Sequence, residues 1–125
     1  MTKHEILYRI YGDALDPAQT DAEIFAAEWS TSFVFGGMCS PDAYAELINL
    51  WRVARMTFKE VRATTGMSQA EFSARFYVPL MTYTQWEQER RQPPVYVKLL
   101  MTEMLGIVAP AKIMAELQLE EARHG

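Results

Sequence analysis

The chain has 125 residues, half of them hydrophobic and 22% charged, the make-up of one globular domain or a small domain with an extension. No apolar run approaches the roughly 18 residues of a membrane span, and the first residues, MTKHEILYRIYGD, carry polar groups every few positions, unlike a secretory leader. The single cysteine, Cys39, excludes an intramolecular disulfide framework, and His4 and His124 near opposite ends make a Cys/His zinc site improbable. The expectation is a cytoplasmic protein with no metal, no cofactor and no membrane partner.

The net charge of −4 hides a segregation. Residues 1–51 hold two basic side chains, Lys3 and Arg9, against eight acidic ones, and stand at −6. Residues 52–98 hold eight basic side chains against four glutamates, a balance of +4, and the last 27 residues stand at −2. A basic middle between acidic flanks suggests a polyanion-binding module in a protein that otherwise avoids nucleic acid.

Helix signals dominate in chain order. Ile6, Leu7 and Ile10 form a short apolar stripe expected to end at Gly12, and Asp13 to Thr20, with Pro17, reads as a loop. From Asp21, Phe25, Trp29 and Phe33 recur at i, i+4 and i+8, one helix face. Phe33-Val34-Phe35 also fits a short strand, and Gly36-Gly37 stops either element. Ser40-Pro41 opens the next helix, serine as cap and proline in the first turn, with Tyr44, Leu47, Ile48 and Trp51 along one side.

A shorter helix is expected from Thr57 to Thr65, closed by Gly66. Ser68 and Glu71 form a capping box whose helix runs to about Arg75 or Phe76. Pro79 sits at the start of a helix carrying Leu80 to about Gln88. Pro93-Pro94 opens a further helix through Leu99, Leu100 and Met104 to Gly106, and a last one runs from Pro110 through Ile113, Met114 and Leu117 into Glu120–Arg123. The fold class is all-α: a compact helix-turn-helix domain at 52–106, an acidic helical extension at 1–51 and a C-terminal helix within 107–125.

Two short helices joined by a three- to four-residue turn within residues 67–91 make a helix-turn-helix, whose second helix enters the major groove. Phe72, Ser73 and Phe76 face inward from the first helix, Val78 plugs the turn, and Tyr83 and Trp86 anchor the second. Leu80, Met81, Thr84 and Gln85 remain on the opposite face, free for base edges.

The run SQAEF, six residues, a proline, then TYTQWE and a basic loop ending in Pro-Pro resembles the Cro/phage-repressor (xenobiotic-response-element-like) helix-turn-helix family over about residues 56–105. The resemblance implies that Gln69 hydrogen-bonds a phosphate and buttresses the recognition helix. It places Leu80, Met81 and Gln85 at base-contacting positions, with Thr84 beside them. Gln85 has the amide to pair with adenine N6 and N7, and Leu80 and Met81 can offer only apolar contact to thymine methyls. Arg90 and Arg91 fall where the family's post-helix loop meets the backbone and would position rather than specify. Ser68, Lys59, Arg62 and Arg75 complete the expected backbone contacts. Family members usually have glycine where Tyr77 and Glu89 stand, so Tyr77 must either tolerate a left-handed backbone or rearrange the turn.

Leu80 and Met81 also fit an exposed protein-binding pair. Gln69, Arg90 and Arg91 have a plain alternative as solvated polar residues. Cys39 reads as a buried filler with no histidine or carboxylate pair nearby to activate it, and an enzyme is not expected. The acidic segment has three competing uses: dimerisation, binding a protein partner such as a toxin, or extra core. Dimerisation is preferred, with the last helix an equal candidate for the interface, because two recognition helices reach successive major grooves about 34–36 Å apart. The expected function is a sequence-specific DNA-binding transcriptional regulator, a homodimeric repressor on double-stranded DNA. The alternative is an antitoxin-like or adaptor protein, which Tyr77, Glu89 and the Leu80-Met81 pair favour.

Overall fold

A computed structural model describes residues 1–118. Among these the chain is all-α, with helices α1 (Lys3–Ala14), α2 (Ala22–Ser30), α3 (Pro41–Arg55), α4 (Phe58–Ala63), α5 (Gln69–Arg75), α6 (Leu80–Glu87), α7 (Tyr96–Met104) and α8 (Pro110–Met114). A single 3₁₀ turn covers Phe33–Phe35.

Local chemistry explains most boundaries. The side chains of Thr2, Asp21 and Ser40 cap α1, α2 and α3 by accepting first-turn amides. α4 and α5 each begin in a reciprocal capping box, Thr57 with Glu60 and Ser68 with Glu71. Three boundaries differ from the sequence expectation. Gly12 does not end α1, because Ala14, two residues on, is fully buried and Asp13 is held by the Trp29 indole at 2.9 Å. Phe33 lies outside α2 in the 3₁₀ turn and is exposed, and no strand forms there. The last helix ends at Met114, short of the expected Leu117, and the part of the expectation on Glu120–Arg123 lies outside the described residues.

The side chains bury into two clusters. The first gathers α1, α2, the 3₁₀ turn and α3 around Ile10, Phe25, Leu47 and Leu50, and residues from the other end of the chain, Val108, Ile113 and Leu117, close it. Backbone and carboxylate contacts seal this closure: the Gln118 amide donates to the Val34 carbonyl at 2.8 Å, and Glu116 accepts from the Ser40 amide and hydroxyl. Buried Glu46 accepts the Ala109 amide at 2.8 Å.

The second cluster is Phe58, Val61, Phe72, Tyr83 and Met101, formed by α4 to α7. Met56 and Ile107 pack against both clusters. Lys98 on α7 crosses between them, its ammonium donating to the carbonyls of Ala54 and Met56 at the end of α3, at 3.2 and 2.8 Å. A cation there answers the partial negative charge of a helix C-terminus.

Candidate nucleic-acid interface

α5 and α6 pack directly against one another. α5 ends in a Schellman motif: the Tyr77 amide donates to the Ala74 carbonyl at 3.1 Å and the Val78 amide to that of Ser73 at 2.9 Å. The motif requires a left-handed residue, and Tyr77 supplies it at φ 59°. α6 ends the same way, with Glu89 at φ 59° and the Arg90 amide donating to the Gln85 carbonyl at 3.0 Å. The turn therefore keeps a left-handed backbone at Tyr77 instead of rearranging to avoid it.

Buried aromatics hold the inner face of α6. Tyr83 is fully buried, 5.1 Å from the Phe72 ring, and its hydroxyl donates to the Phe58 carbonyl at 3.2 Å. Burial pushes that hydroxyl's pKa up. Trp86 lies 5.3 Å from Phe58, and Val78, Phe76 and Ser73 turn inward as the sequence suggests.

A carboxylate joins the three helices. Glu87, its side chain 5% exposed, accepts Arg62 Nε from α4 at 2.6 Å and Gln69 Nε2 from α5 at 3.0 Å. Desolvation raises its pKa, but the hydrogen bonds from Arg62 and Gln69 and the charge of Arg62 outweigh it and bring the carboxyl down to about 2.

This arrangement corrects the place of Arg62. Its guanidinium also donates to the Met67 carbonyl at 3.1 Å, so its donors are turned inward to Glu87 and Met67 rather than to a phosphate path. Gln69 braces α6 through its amide nitrogen, which points at Glu87 and not outward. Ser68 caps α5 by accepting the Glu71 amide at 3.1 Å. Of the eight basic residues at 52–98, Arg55 and Lys98 are likewise held inside, Arg55 stacked 4.1 Å from Trp51 and donating to the carbonyls of Ala14, Asp16 and Gln19. Arg52, Lys59, Arg75, Arg90 and Arg91 stand exposed.

The outward face of α6 is open. Leu80, Met81, Thr84, Gln85, Gln88 and Arg90 line one shallow groove, Met81 being 77% exposed. The sequence reading missed Gln88, although Leu80, Thr84 and Gln88 stand at i, i+4 and i+8, spacing enough to find it. It also missed Glu87 as the organiser, because no spacing pairs Arg62 with a residue 25 positions away. Tyr77, 93% exposed, stands at the turn ahead of this face.

Buried Cys39 has its thiol pKa raised by desolvation and by the Glu116 charge, which makes it a poorer nucleophile. Among the described residues no group of histidine, cysteine, aspartate and glutamate could hold a metal ion, and no helix is long and apolar enough to cross a membrane. No family model matches the chain, nor does any curated protein or solved structure.

Proposed function

We propose that this chain is a sequence-specific DNA-binding regulator of transcription, acting as a dimeric repressor in the cytoplasm. The observation that carries the reading is the uncovered face of α6, where Thr84, Gln85 and Gln88 bring hydrogen-bonding side chains together with Arg90 in one groove. The buried Tyr83 and Glu87 on the other side hold that face rigid relative to α4 and α5. Exposed Arg75, Arg90, Arg91 and Lys59 supply sequence-independent attraction to phosphates, and Gln85 supplies base choice.

The test is anisotropy on duplexes from the DNA upstream of the protein's own gene and on random duplexes, between 50 and 200 mM salt. Affinity should fall with salt, by a slope of about 0.9 per phosphate neutralised. Arg90→Ala should weaken binding to all duplexes alike and flatten that slope by about one unit. Gln85→Ala should cost about 1–3 kcal/mol at one base pair and relax the preference there. Absence of salt-sensitive binding to any duplex at low ionic strength overturns the reading.

A second reading, an antitoxin-like or adaptor protein, is favoured by one observation: the exposed apolar side chains of Tyr77, Leu80 and Met81 gather at the leading end of α6. Capture of a stoichiometric protein partner together with the absence of duplex binding decides for it.

A further inference from the structure

The outer face of a surface helix is ordinarily polar, and α7 breaks that rule. Val97, Leu99, Met101 and Leu105 turn toward the two cores. On the other side Tyr96, Leu100 and Met104 follow one another at i, i+4 and i+8, and they are 56%, 54% and 57% exposed. Val95, just before the helix, is 65% exposed. Glu103 is the one charged side chain among the exposed residues of α7.

We infer that the Tyr96–Leu100–Met104 face of α7 is the homodimer interface, two copies pairing α7 antiparallel about a two-fold axis at Leu100. The assignment deepens the dimeric reading above and rests on it for the second copy, though not on DNA. Three features select a second copy as the occupant. The stripe is its own complement: under a two-fold axis at Leu100, Tyr96 of each chain meets Met104 of the other, a favourable sulfur–aromatic pairing.

Charge selects against the alternative surface. The protein carries −4 overall and its first 51 residues −6, so two copies meeting there repel, whereas the α7 face brings almost no charge to the axis. Area fits as well. The four exposed side chains offer apolar surface on the order of 400 Å² per copy, within the range of functional patches. That is about half of what one partner contributes to a standard stable interface, the remainder falling to the surrounding rim. The α6 groove is lined by none of these four residues, so pairing through α7 leaves it available.

Sedimentation equilibrium without DNA tests the assignment on the full chain. The wild type should dimerise, and Leu100→Glu and Met104→Glu should each raise the dimer dissociation constant by about two orders of magnitude. Both positions are half exposed, so circular dichroism and the unfolding midpoint should stay near wild type. Ala45→Glu, at an exposed site on α3, should leave the dissociation constant within about twofold of wild type. A dimer that survives both α7 variants, or that Ala45→Glu disrupts, overturns the α7 assignment and leaves the dimeric reading standing. A wild type that remains monomeric at several hundred micromolar overturns both. Neither result depends on duplex binding.

Discussion

The two halves of the molecule bury their side chains in different ways. The first core is mostly aliphatic and is completed only when Val108, Ile113 and Leu117 return to cover residues some sixty to a hundred positions upstream. The second lies within residues 56–107, rests on packed aromatic rings, and encloses an ion pair that braces its helices. Local closure lets the second core hold a precise outward face on α6. The first core, built from both ends, gives the chain a stable body beside it.

The contrast breaks most readily at Phe72. Phe72→Ala removes the fully buried ring between Phe76 and Tyr83 and should lower stability by about 3–5 kcal/mol in denaturant unfolding. A loss under about 1 kcal/mol would mean that the aromatic cluster does not hold the second core.

Glu87 comes next. Glu87→Ala removes the acceptor shared by Arg62 and Gln69 and should lower stability by less than Phe72→Ala in the same unfolding measurement, because the guanidinium it leaves reaches solvent and keeps the Met67 carbonyl. The acid dependence sharpens the point. The folded carboxyl stands at about 2, below its unfolded value near 4.3. The stabilisation it gives is therefore complete above the unfolded value and is lost as pH falls through about 2. Glu87→Gln, compared with wild type by urea unfolding between pH 6 and 2, should flatten this part of the profile. An unchanged slope would remove Glu87 from its central place.

The smallest effects come from one motif used three times. α5, α6 and α7 end with left-handed residues, Tyr77 and Glu89 at φ 59° and Gly106 at φ 76°. Tyr77→Gly and Glu89→Gly should each raise stability by about 0.5–1 kcal/mol, since both side chains are exposed and only the strained backbone changes. Gly106→Ala should lower it by about 1 kcal/mol, because an added Cβ there meets no atom within 4 Å and the cost is conformational. Thermal unfolding of the three variants measures the series. If Tyr77→Gly gains stability but loses duplex affinity, the tyrosine is held in its strained conformation for contact.

Much of the second core was legible because its signals are local. The Ser68–Glu71 capping box, the inward run Phe72, Ser73 and Phe76, and the left-handed demand at Tyr77 are all set within a few residues. The outward set Leu80, Met81, Thr84 and Gln85 follows from helical spacing alone. The expected outward role of Arg62 failed because a side chain's partner is decided in three dimensions: Glu87 is far along the chain and adjacent in the fold. The same reason hid Lys98, which counts as surface charge in composition and sits as a cap on α3 in the structure. Gly12 misled because a glycine on the solvent side of a helix ends it only when the residues beyond have nothing to hold them.

Lys98 has a practical consequence. Desolvation lowers the pKa of its amine, and its ammonium touches carbonyls belonging to the other half. Reagents that acylate amines should label it slowly while those contacts hold and faster when α7 lifts from the end of α3. The rate at which Lys98 is labelled, set against Lys59 as an exposed internal standard, becomes a clock for the breathing of one half against the other.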